Sequence, residues 1–196
     1  TEISDEVFKN CSSLTTITIP QSLTNIGNYA FYGCYNLIDV HIGSIASWLN
    51  IKFGYESAHP NYTGSVNMYM NGELLTEVVI PSTVVTIPDY AFQGCKSIVS
   101  ISIPEGVTSI GRSAFANCIG LTIVDIPKSV TNFGYETFSG CSSLTSANIP
   151  DGVTSIDERM FYDCSRLTSV SIPQNVTEIG KYAFFNCSSL ASITLP

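Results

Sequence analysis

Asp39, His41, His59 and Glu77 are the side chains whose chemistry could extend beyond packing, because imidazoles and carboxylates can ligate a divalent metal or pass a proton to a substrate. No H-E-x-x-H run, D-x-D-x-D-G loop or G-x-S-x-G elbow accompanies them. The sequence therefore predicts solvated surface at these positions, with a metal-assisted hydrolase built on Asp39, His41 and His59 as the weaker alternative. No cofactor is expected. Seven cysteines, Cys11, Cys34, Cys95, Cys118, Cys141, Cys164 and Cys187, also invite a disulfide or zinc reading. Their number is odd and no C-x-x-C occurs, so buried, reduced thiols acting as small hydrophobes are expected instead.

The cysteines matter more as a ruler. Each stands 23 residues after the last, except that 61 residues separate Cys34 from Cys95. Prolines 20, 81, 104, 127, 150, 173 and 196 keep the same beat, and so do phenylalanines 8, 31, 92, 115, 138, 161 and 184. Full units begin at Leu14, Leu75, Ile98, Leu121, Leu144 and Leu167, each reading roughly LTxIxIPxxVTxIGxxAFxxCSS. A fixed period of this length defines a stack of equivalent coils in which each unit contacts its neighbours. One α/β solenoid domain spanning 1–196 is predicted, with an insertion at 44–74 in the single 38-residue unit.

Within a unit such as 167–173, apolar positions 1, 4 and 6 alternate with small polar ones, as in a strand with one buried face, and the proline that follows closes the strand. The second half drifts toward helical spacing, which predicts a short extended piece and a helical turn. One coil loses about 1 to 2 kcal/mol of backbone entropy per residue and gains about 1.5 to 3 for each of its few buried side chains. It cannot fold alone, so stacking is obligatory, and apolar edges at the two ends would permit end-to-end stacking. Oligomeric state is not set by the sequence.

Composition narrows the partners. Only 12% of residues are charged and the net charge is −8, with eight basic residues scattered along the chain, so no stripe exists for binding phosphates of nucleic acid. No apolar run of 18 residues is present to insert in a membrane. The chain starts and stops inside repeats, which suggests a segment of a longer protein.

The unit, with LxxIxIP, VTxIG, AF and C in that order, resembles the BspA-like, or treponemal-type, leucine-rich repeat over residues 1–43 and 75–196. The resemblance implies a right-handed solenoid with a parallel sheet on its concave side and short helical turns opposite. It further implies a secreted or cell-surface protein, non-enzymatic, that adheres to a protein or glycan on a host or neighbouring cell. The second unit departs from the pattern: Gly43 replaces the proline and Ser57 falls where a cysteine is due.

Two regions could carry recognition. The insertion gathers Trp48, Phe53, Tyr55, His59, Tyr62 and Tyr69, which read either as a structural cover for the solenoid edge or as stiff contact area for a ligand. Within it, 44–50 is predicted to be a short helix capped by Ser44, and Asn71-Gly72 a type I′ hairpin turn. On the sheet face the solvent-pointing residues are mostly Ser and Thr, interrupted by Asp39, His41, Glu77 and Asp125. Asn10, Asn61, Asn175 and Asn186 open N-x-S/T triplets, Asn61 being the most accessible acceptor if the chain is glycosylated. The expected function is a recognition module, with a purely architectural stalk as the alternative.

Overall fold

The structure, a computed structural model, describes residues 1–60 and 65–196. It is a parallel β-solenoid of about eight turns. Five strands of the main sheet, Glu77–Val79, Ser100–Ser102, Ile123–Asp125, Ser146–Asn148 and Ser169–Ser171, pair in parallel at a 23-residue offset, as in Ser100 opposite Ile123. Their central residues, Val78, Ile101, Val124, Ala147 and Val170, point inward, and the flanking positions face solvent. The predicted alternation is present in every one of these coils.

The second half of each regular coil closes in hydrogen-bonded turns instead of the expected helical turn, because its amide groups are shared between coils. Tyr90, Phe92 and Gly94 donate to the carbonyls of Arg112, Ala114 and Ala116 on the next coil, while Gln93 and Cys95 donate three residues back. A helix would claim all of these groups for itself. The same alternation forces two columns of left-handed residues. Glu6, Tyr29, Tyr90, Ser113, Glu136, Arg159 and Tyr182 have φ between 50° and 63°, and Asn10, Gly33, Gly94, Asn117, Gly140, Asp163 and Asn186 form the second column. The second column uses the residues that tolerate this conformation, whereas in the first Glu6, Tyr90, Ser113, Glu136 and Arg159 adopt it while donating their amides to the next coil.

A second ladder of two-residue strands, following each main strand, splits into three pieces: Glu2–Ile3 to Lys52–Phe53, Thr86–Ile87 to Asn132–Phe133, and Ser155–Ile156 with Glu178–Ile179. The breaks coincide with Pro88 and Asp157. Elsewhere that position is Gly27, Gly54, Gly111, Gly134 or Gly180, whose N–H donates to the coil below at 2.7–2.9 Å. A Cβ on Gly111 would lie 2.5 Å from the Asp89 nitrogen, and one on Gly180 2.6 Å from that of Glu158. Glycine is thus required by close approach, and a side chain at 157 or a proline without an N–H at 88 parts the coils.

Inside, the phenylalanines stack. Ring centroids of Phe92, Phe115, Phe138, Phe161 and Phe184 are 5.5–5.8 Å apart and nearly parallel, and Phe8 lies 5.3 Å from Phe31. Beside them the thiols of Cys34, Cys118, Cys141, Cys164 and Cys187 donate to the carbonyls of Phe8, Phe92, Phe115, Phe138 and Phe161, at 3.0–3.2 Å. All seven cysteines are free and only Cys11 is exposed. Burial, reinforced by the neighbouring thiol, holds Cys118 and Cys141 well above the ordinary thiol range, and burial pushes Cys187 up to about 11. Iodoacetamide at pH 8 should therefore modify one cysteine in the folded chain and seven in urea. Mass spectrometry showing two or more rapid additions without urea would contradict this packing.

The insertion is not one excursion. Lys52–Phe53 pairs with Asn25–Ile26, and Asn67–Met70 pairs in parallel with Asp39–Ile42, so the second coil closes with only a few extra residues and its successor contributes a strand to the main sheet. The chain then turns at Asn71 (φ 55°) and Gly72 (φ 85°) into Glu73–Leu74, which pairs antiparallel with Met70 and Tyr69. The hairpin is the one predicted. The helix is Ile45–Leu49, with the Ser44 hydroxyl accepting from the Ser47 amide at 3.1 Å. Because this hairpin occupies the sheet, the main ladder comes in two pieces and not as one continuous parallel sheet.

Candidate functional site

The nine predicted site residues divide between interior and surface. Trp48 and His59 are each 1% exposed, and with half-buried Phe53 they form an aromatic cluster with centroids 4.7–5.5 Å apart, Trp48 lying edge-to-face with both partners. The Trp48 indole N–H donates to the Ala91 carbonyl, next to Phe92. This cluster fills the interval of the aromatic spine between Phe31 and Phe92, where the second coil lacks an Ala-Phe phenylalanine. Trp48 and His59 therefore lie in the core of this structure and present no surface. Tyr55 is 66% exposed. Tyr62 and Asn61 lie outside the described residues.

His59 is chemically unusual. Neither ring nitrogen has a hydrogen-bond partner among the described residues. Burial lowers its pKa to about 3, against a slight opposing pull from the Ala91 carbonyl, which already accepts the Trp48 indole. The ring is a neutral core group at ordinary pH, removed from Asp39 and His41 on the sheet surface. The three do not converge on a metal or proton-transfer site, and among the described residues no group of three His, Cys, Asp or Glu side chains could hold a metal.

On the open sheet face the structure adds two partners that the sequence did not place there. Asn67 Nδ2 donates to Asp39 Oδ1 at 2.9 Å, and the His41 and Tyr69 rings stack at 4.7 Å, 15° from parallel. Both contacts exist because Asn67–Met70 is a ladder strand, with Met68 inward and Asn67 and Tyr69 outward. The alternation of Asn67-Met-Tyr-Met70 was the available signal. Glu77 and Asp125 are exposed on the same face of later strands. Lys and Arg are absent from these strands, so the face carries negative charge only.

A further surface escaped sequence reasoning. The left-handed turns around the AF motif present Arg112 between the rings of Tyr90 and Tyr135, at 5.3 and 4.2 Å, Arg159 paired to Glu136 at 3.0 Å, and Tyr162 stacked on Phe185. Tyrosines and cations recur in the columns immediately before and after Ala-Phe, which is where the pattern was legible.

These coils define a class, the leucine-rich-repeat β-solenoid. The BspA type leucine rich repeat region matches residues 1–55 and 65–196 in six copies. The chain belongs to that family. Its fold is similar to that of a leucine-rich repeat protein of T. pallidum (23% identity, TM-score 0.61, covering 96% of this chain and 82% of that one). A leucine-rich repeat protein of Eubacterium ventriosum is likewise similar (23%, TM-score 0.65, 98% and 63%), as is the pneumococcal vaccine antigen PcpA (18%, TM-score 0.51, 91% and 65%). The chain thus spans under two thirds of the last two. No curated protein matches it. No helix among the described residues is long and apolar enough to cross a membrane.

Proposed function

We propose that this chain is a non-enzymatic recognition module of a secreted or surface protein, binding a protein or glycan partner through the sheet-face patch of Asp39, His41, Asn67, Tyr69 and Glu77. The observation that carries this reading is the hairpin, which sets an amide and an aromatic ring against Asp39 and His41 on a face built elsewhere mostly of Ser, Thr, Val and Ile. Pre-positioned planar side chains lose little freedom on binding, and an aromatic beside them supplies contact area. Asp125 lies on the same face, two strands beyond Glu77. Family membership and the similarity to a bacterial vaccine antigen support a surface location.

Deleting 44–74 would not test this, since it removes Trp48 from the core. The experiment is a Tyr69→Ala/His41→Ala double variant screened beside the native chain against immobilised extracellular-matrix proteins and mucin. A loss of at least about tenfold in affinity, about 1.4 kcal/mol, is expected with an unchanged far-UV spectrum. Equal affinity would remove the patch from the binding surface. The small neutral side chains over the rest of the face favour a second reading, a spacer with no ligand of its own, and a screen without any hit would support it.

A further inference from the structure

The aromatic column just after Ala-Phe is interrupted in the middle of the solenoid. After Lys9 and Tyr32 in the first coils, its members are Gln93, Ala116, Ser139, Tyr162 and Phe185, one per coil. Tyr162 stacks one ring face on Phe185 at 5.0 Å and 12°, so its other face looks along the solenoid axis over Ser139 and Ala116 toward Gln93. Coils about 4.8 Å apart put Gln93 about 14 Å from Tyr162 in backbone position, with only a hydroxymethyl and a methyl group between them. The result is a slot of about 310 Å³, flanked by Asn117, Glu136 and Arg159.

We infer that this slot binds one uncharged pyranose ring of a glycan. Glu136 is fixed by Arg159 Nη1 at 3.0 Å and by the Ser113 hydroxyl at 3.3 Å, and Arg159 Nε also lies 3.9 Å from Glu158 Oε1, so this cation is already met by two carboxylates. Its salt bridge disfavours a charged ligand, which would have to compete with a partner already in place. Arg159 Nη1 is bonded to Glu136 and Nε faces Glu158, but a guanidinium carries five N–H donors, and this side chain is 43% exposed. Donors therefore remain for hydroxyl oxygens, and the second lone pairs of Glu136 remain for hydroxyl hydrogens. Asn117 adds an amide with both capacities, folded over Gly140, where any Cβ would collide with its oxygen. Several planar polar groups around one aromatic face and a methyl match a ring that has hydroxyls on its rim and C–H groups on its face. A lipid or apolar peptide finds too little apolar wall here. The slot lies on the turn surface, away from Asp39 and His41, and stands independently of the patch proposed above.

Saturation-transfer NMR tests this with methyl glycosides of glucose, galactose, mannose and N-acetylglucosamine at millimolar concentration. At least one should receive saturation, strongest at its ring C–H protons. Ser139→Tyr, which would continue the Tyr162–Phe185 stack by one coil and fill the slot, should abolish the transfer. Asn117→Gly, which keeps the left-handed backbone that Gly33, Gly94 and Gly140 adopt in the same column, should weaken it severalfold without loading the fold. A neutral polysaccharide, and an N-glycosylated protein before and after enzymatic deglycosylation, then show which source carries the sugar, and binding to either supports the inference. No saturation of any glycoside by the native chain, or undiminished transfer in both variants, overturns it.

Discussion

Replacing Phe115 by alanine should lower stability by about 3 to 5 kcal/mol, read as a fall in the urea midpoint followed by circular dichroism. Phe115 is fully buried, with Phe92 and Phe138 stacked on its two faces at 5.8 and 5.6 Å. Its own backbone is pinned: the amide donates to Thr137 and the carbonyl accepts the Cys141 thiol. Coil spacing is set by the ladders on both sides, so neighbouring coils cannot collapse into the void, and the cost should fall in the upper part of the range. Phe8→Ala should cost less, because Phe8 is half-buried. Equal losses at the two positions would mean that the column is not a continuous packing element.

The second large effect is expected in acid. An imidazole titrates near 6.5 in the unfolded chain, whereas folded His59 does so at about 3. Between those values the unfolded chain binds a proton that the folded core refuses, so the stabilisation is complete above pH 6.5 and declines as pH falls toward 3. The slope is about 1.4 kcal/mol per pH unit, which amounts to about 3 kcal/mol near pH 4.5. Urea denaturation at pH 7.0, 5.5 and 4.5 measures it. His59→Leu should flatten this dependence and be no less stable at pH 7, since it removes a buried polar ring that lacks a hydrogen-bond partner among the described residues. An unchanged acid slope in His59→Leu would place the proton uptake elsewhere.

Much of this architecture can be read from the letters. The 23-residue beat places the strands, the phenylalanine column and the buried thiols, and Asn71-Gly72 and Ser44 announce the hairpin and the helix cap. The thiols were expected to be inert hydrophobes, and the structure adds their hydrogen bonds to phenylalanine carbonyls 26 residues earlier. Pro88 and Asp157 were visible departures from a glycine column, yet their consequence depends on how closely two coils approach, a distance no sequence pattern contains. The insertion was harder still. The helix cap pointed Trp48 inward, but nothing in the sequence oriented the other aromatics, and the structure turns Trp48 and His59 in and Tyr55 out.

Alone, the order of residues determined the repeating stack, because a short unit that cannot bury its apolar face by itself can do so only against copies with the same apolar positions. The three-dimensional arrangement decided where that regularity gives way to specificity. Trp48 finds its acceptor at Ala91, 43 residues on, Asn67 reaches Asp39 across 28, and the slot under Tyr162 takes its walls from four coils. Each depends on side chains that are neighbours only across the stack, so their relation exists only once the coils are laid on one another.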